Sequence, residues 1–210
     1  MRQIATHQRI LIEAQDLLQR FGFFGLSLQD LADRIQIRKP SLYAHYDSKE
    51  GLGVSIIQEY DRLFLKWMDR LKDETPESKL QEFHKLIEGY LLAGKVCPNS
   101  ALSLEGERLP QAMRTAYTAF LETQLTWLEK MIQEGQDRNH FLATLPAKEL
   151  ARLAFQQTIG AELVTRMTGD MSWFYKGAED ILKTIRGGVS AASSSMPRSN
   201  QSAVSVVVAN

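Results

Sequence analysis

The chain has 210 residues, 44% of them hydrophobic and 24% charged, which suits a soluble globular protein with one large core or two smaller ones. Basic and acidic side chains stand at 25 each, so no global field attracts a nucleic acid and any such function must rest on local charge. A single cysteine, Cys97, excludes an intrachain disulfide, and no run of about 18 apolar residues offers to cross a bilayer.

The opening "MRQIATHQR" carries no apolar secretory core, so the expected location is the cytoplasm, with no membrane partner. From there the pattern is helical almost throughout. Ile4, Ile10, Leu11, Ala14, Leu17 and Leu18 mark a first helix over 1–20, which the glycines of "FGFFG" end. Ser27 opens a short second helix to 34, because "SLQD" is a capping-box variant. Pro40 suits a first turn, so a third helix is expected over 39–45. Asp47 or Ser48 caps a long fourth helix over 49–72. Further helices are expected over 76–94, 100–107, 110–136, 146–167 and 171–186. From 188 to 210 the chain is rich in small polar residues and reads as a disordered tail.

The second and third helices, joined by about four residues, have helix-turn-helix spacing. Leu42 and Tyr46 share a face, which can join Leu28, Leu31, Ile35 and Ile37 in a small core. The opposite face offers Arg38, Lys39, Ser41, Tyr43 and His45 at a helix N-terminus, as a major-groove reader needs. Arg34 and Lys49 add local positive charge, and Lys49 with the free N–H groups of the fourth helix is expected to grip a flanking phosphate. Tyr46 is expected in the core.

"SLQDLADRIQIRKPSLYAHYDSKEGL" resembles the DNA-binding segment of TetR-family transcriptional regulators. The matching positions are Ser27, Asp30-Leu31-Ala32, the run from Ile37 to Tyr46, and Ser48-Lys49-Glu50-Gly51-Leu52. Two departures stand out: Gln36 replaces the family's turn glycine, and Arg38 replaces a small residue, adding a guanidinium able to meet a guanine edge or a phosphate. Ser27, Gln36, Arg38, Lys39, Pro40, Ser41, Tyr43, His45 and Lys49 form the expected DNA-binding set. The resemblance implies an all-α homodimer that binds a palindromic double-stranded operator, most simply as a repressor. It further implies that a small-molecule effector shifts the fourth helix and respaces the two recognition helices. The expected division is 1–48 as the DNA-binding domain and 49–187 as the ligand-binding and dimerisation domain.

Phe64, Tyr90, Cys97, Tyr117 and Gln124 are the expected effector-binding residues, in the region interrupted by "KVCPNS". Cys97 precedes a helix start that can lower a thiol pKa, although an inert core cysteine is the plainer reading. Phe155, Ile159, Leu163, Trp173 and Ile181 are the expected dimer contacts, in a four-helix bundle made by the last two helices of each copy. "GYLLAGKV" approximates a phosphate loop, but Val96 lacks the hydroxyl that magnesium needs. The four histidines have no metal spacing, so no cofactor and no metal are expected. An enzyme or carrier on a helical bundle, and a nonspecific architectural DNA binder, are the alternatives; no catalytic constellation favours the first.

Overall fold

Three hydroxyls cap helices, and two of them, Ser27 and Ser48, do so where the sequence puts them. Ser27 Oγ accepts from the Asp30 N–H at 3.2 Å, Ser48 Oγ from Gly51 at 2.9 Å, and Thr75 Oγ1 from Ser78 at 3.2 Å. Each satisfies one of the donors that a helix start leaves free. The computed structural model describes residues 5–187, and the tail expectation for 188–210 lies outside them, as does Ile4.

The described residues form helices α1 (Thr6–Gly25), α2 (Leu28–Arg34), α3 (Lys39–Tyr43), α4 (Lys49–Arg70), α5 (Pro76–Leu92), α6 (Pro98–Ser103), α7 (Gln111–Asp137), α8 (Ala147–Thr168) and α9 (Ser172–Arg186), with a 3₁₀ turn at Gly106–Arg108. No strand occurs among them. The recognition helix is two residues shorter than expected: Ala44 and His45 form a turn whose backbone closes on Leu42. The sixth helix starts earlier, at Pro98, and ends earlier, at Ser103.

α1 does not simply stop at "FGFFG". Gly22 adopts φ 74° and ψ 178°, a bend that a side chain resists, and helical hydrogen bonding resumes beyond it. A Cβ there would also stand 2.7 Å from Glu105 Oε1, so the position needs glycine for conformation and for space.

The head, α1 to α3, closes over Leu31, Ala32, Ile35, Leu42 and Tyr46, all buried. Arg9 of α1 donates to the Ile35 carbonyl at 2.7 Å and so caps the end of α2. In the body, α4 packs on α7, α7 on α8, α8 on α9, and α5 on both α7 and α8, while α6 lies against α1. Head and body share one continuous apolar core. α4 runs through both, and at Gly53 it approaches so closely that a Cβ would lie 2.5 Å from Met113 Sδ. Asp16 of α1 gathers Arg34 from α2 at 2.9 Å, Arg20 at 3.0 Å and Lys95 at 2.6 Å. Burial works against the Asp16 carboxylate, but those hydrogen bonds outweigh it and hold the group well below the usual carboxylate range.

Candidate DNA-reading head and buried cavity

The turn between α2 and α3 is built on Gln36, which takes φ 58°, the left-handed conformation usually given to glycine. Its N–H bonds the Asp33 carbonyl at 3.1 Å, and the Ile37 N–H returns to Ala32 at 3.0 Å. This turn sets α3 across α2 and leaves Arg38, Lys39, Pro40, Ser41, Tyr43 and His45 exposed, with Arg38 as the residue before the first turn. Ser27 is half-buried and engaged as a cap. Tyr46 faces inward, its hydroxyl 3.1 Å from His7 Nδ1.

Two cations of the expected basic face are not free. Arg34 turns back to Asp16 and Glu13, at 2.9 and 3.5 Å. The Lys49 ammonium donates to the Phe24 carbonyl at 3.3 Å and lies 4.8 Å over the Phe23 ring. Burial lowers the Lys49 pKa, and reaching a phosphate would mean leaving both contacts. Lys95, the lysine of the near phosphate-loop match, is held by Asp16.

Below the head, α1, α4, α5, α6 and α7 enclose a cavity of about 320 Å³. Of the expected effector-binding residues, Phe64, Tyr90, Cys97 and Gln124 line this cavity and Tyr117 does not. The Tyr117 hydroxyl instead stands 3.0 Å from Ser103 Oγ at the end of α6. Aromatic rings make much of the wall: Phe64 stacks on Trp67 at 5.3 Å and meets Phe120 edge-on at 6.3 Å. Burial raises the Tyr60 phenol well above its ordinary value, and the phenol donates to the Gln15 carbonyl at 3.0 Å.

Cys97 is buried, and its place at the start of α6 does not make it a thiolate. Burial and the adjoining Glu162 carboxyl push its pKa well up. Glu162 of α8 is fully buried and accepts from the Cys97 N–H, from Cys97 Sγ at 3.0 Å and from Ser100 Oγ. It caps α6 from another helix, and burial raises its own pKa. The sequence reading missed Glu162, although the signal was present: Thr158, Glu162 and Thr165 continue the inward stripe of α8 as polar groups. It also missed Asn99, one of the "KVCPNS" residues, which lines the cavity.

On α8 and α9, Trp173 is 54% exposed and Phe155, Ile159 and Leu163 are half-buried, with Leu163 turned towards α1 and α6. Ile181 departs from expectation: it is covered within its own chain, in the core that α9 forms with α8 and α7, and has no surface to offer a second copy. Leu153, Val164 and Met167 are exposed on α8 instead.

Two short helices, a left-handed turn and an exposed cationic α3, set on a hollow helical body, define a helix-turn-helix regulator. The family described as "Bacterial regulatory proteins, tetR family" matches residues 10–55. The chain is 27% identical over 167 residues to the transcriptional repressor DhaR of Mycobacterium sp. (strain GP1), covering 78% of this chain and 83% of that one. A TetR regulator from Legionella pneumophila superposes with a TM-score of 0.81 at 24% identity, over 88% of this chain and 100% of that one. FadR from Bacillus subtilis, solved in complex with stearoyl-CoA, shares the fold with a TM-score of 0.69 at 15% identity, over 88% and 100%. Residues 10–55 thus match the TetR family's DNA-binding segment, and the relatives that resemble the rest of the chain are named as transcriptional regulators and repressors, which supports a DNA-binding regulator. No helix among the described residues is long and apolar enough to cross a membrane.

Proposed function

We propose that this regulator is a homodimeric repressor that reads a palindromic operator with α3 and leaves it when a small-molecule effector fills the cavity. Residues 1–48 act as the DNA-binding domain and residues 49–187 as the effector and dimer domain. The observation that carries the reading is the double role of α4. Its first turn is tied to the head through Lys49 and Phe24, and its middle, at Tyr60, Phe64 and Trp67, walls the cavity. An effector that binds better when α4 is tilted therefore shifts the heads away from the spacing the operator needs.

Arg38, Lys39, Ser41, Tyr43 and His45 are the groups offered to DNA, with the turn at Gln36 setting their approach. The dimer surface is the outer face of α8 and α9, with Trp173, Phe155 and Ile159 joined by the exposed Leu153 and Val164. The ligand-bound FadR neighbour supports a ligand-responsive body on this fold. Selection of bound sequences from a random DNA pool, followed by competition with the selected site, tests the reading. A palindrome with half-sites about 34–36 Å apart is expected. Equal affinity for selected and random DNA would reject it.

A further inference from the structure

Asn99 of α6 and Gln124 of α7 meet across one wall of the cavity, each 3% exposed. Asn99 Nδ2 donates to Gln124 Oε1 at 2.9 Å. That bond leaves Asn99 Oδ1 and Gln124 Nε2 buried with no hydrogen-bond partner among the described residues. Turning both amides round gives the same result: one amide oxygen and one amide nitrogen remain without a partner. Gln15 Nε2, on the same cavity, is a further donor without a partner there. Buried polar groups are almost always bonded, so an adjacent unpaired donor and acceptor facing a hollow mark a recognition point.

The rest of the cavity narrows the ligand. Arg70, exposed at the rim, is the one ionised side chain among the described lining residues. The Glu162 carboxyl bonds Cys97 and Ser100 instead of facing a charged partner. Phe64, Trp67 and Phe120 supply flat apolar walls. A charged ligand would lose its hydration with no counter-charge inside.

We infer that the cavity binds an uncharged planar aromatic molecule that presents an adjacent acceptor and donor, as a lactam or primary carboxamide does, to the Asn99–Gln124 pair. This rests on the reading of the cavity as the effector site. The ligand's carbonyl accepts from Gln124 Nε2 and its N–H donates to Asn99 Oδ1.

The test uses the full chain and three probes measured by equilibrium dialysis: 2-quinolone, naphthalene and 2-naphthoate. The first has the donor–acceptor edge, the second the same outline without it, and the third a charge. 2-Quinolone is expected to bind wild type more tightly than 2-naphthoate. Gln124→Met, a near match in volume, is expected to reduce the preference for 2-quinolone over naphthalene by at least tenfold, as is Asn99→Leu. Because the readout is a ratio, a partly folded variant does not distort it. The double variant is expected to melt at or above the wild-type temperature, since it removes both unpaired groups together. An unchanged ratio, tighter binding of 2-naphthoate, no binding of any probe, or a double variant that melts well below wild type would each overturn the inference. Operator release is measured separately. Pair-dependent lactam binding without release would keep this ligand chemistry and remove the effector role. Release by naphthalene or 2-naphthoate alone would do the reverse.

Discussion

The Glu105 carboxylate accepts the Phe23 backbone N–H at 2.7 Å, with its second oxygen on the N–H of Phe24 at 2.8 Å. Glu105 lies just past α6, whose first residues line the cavity, and Phe24 holds Lys49 at the start of α4. If the proposed effector moves α6, two charge-assisted hydrogen bonds would pass that movement to the head, as well as α4. Glu105→Ala leaves both amides without that acceptor and should lower stability by about 1–3 kcal/mol, read by urea unfolding. It should also weaken the effect of a bound ligand on operator affinity. A variant as stable and as responsive as wild type would make this link ornamental.

On the head, Lys39 and Arg38 should fail in different ways. Lys39→Ala should weaken binding to every DNA sequence and reduce the slope of log affinity against log salt by about one unit. Arg38→Ala should instead relax preference at one operator position, by roughly 1–3 kcal/mol. Fluorescence anisotropy across a salt series and a set of single-base operator variants separates the two. Wild-type behaviour in both would remove α3 as the reader.

His84 carries a pH dependence. It projects from α5 against Thr158 of α8 and the Phe174 ring of α9, with its Nε2 3.2 Å from Thr158 Oγ1. Burial pushes its pKa down to about 4. Below about pH 6.5 the unfolded chain takes up a proton that the folded chain refuses. The stability contributed by the neutral ring is thus complete above that pH and is lost as pH falls towards 4, by up to roughly 3 kcal/mol. His84→Gln should flatten this part of the stability profile, measured by denaturation between those limits. An equally steep profile in the variant would assign the loss to other groups.

Trp173→Glu and Ile181→Glu make a paired test of assembly. Trp173 is exposed in its own chain, so its variant should fold normally and sediment as a monomer where wild type sediments as a dimer. Ile181 is 1% exposed, so its variant should lose folding instead of assembly. A Trp173→Glu variant that remains a dimer would move the interface off this face.

Caps and breakers made most of the helix order readable. Ser27, Pro40, Ser48, Thr75, Pro76 and Pro98 act locally, through their own hydroxyls or rings, and local chemistry is written in the chain. Tyr117 was misplaced for a different reason. It shares a helical phase with Phe120 and Gln124, but it lies about 10 Å along α7 from Gln124 and is not among the residues that line the hollow. Periodicity gives direction around a helix and says little of height. Ile181 shows a second limit: an apolar stripe does not state whether it is covered by the chain's own helix or by another copy. The partners of Arg34, Lys49 and Glu162 lie 18 to 65 residues away in sequence, so only the folded chain reveals them.

The neutralisation of Arg34 by Asp16 and Glu13 reaches beyond the fold. A head with fewer free cations touches fewer phosphates, and affinity for arbitrary DNA grows with the number of phosphates neutralised. A bacterial chromosome offers on the order of 10⁶ or more competing sites, which act as a sponge for any basic protein. A regulator with its surplus charge tied down inside the head is less diluted by that sponge. Under the proposed reading, a small number of copies per cell would then keep one operator occupied, and a small number of effector molecules would clear it.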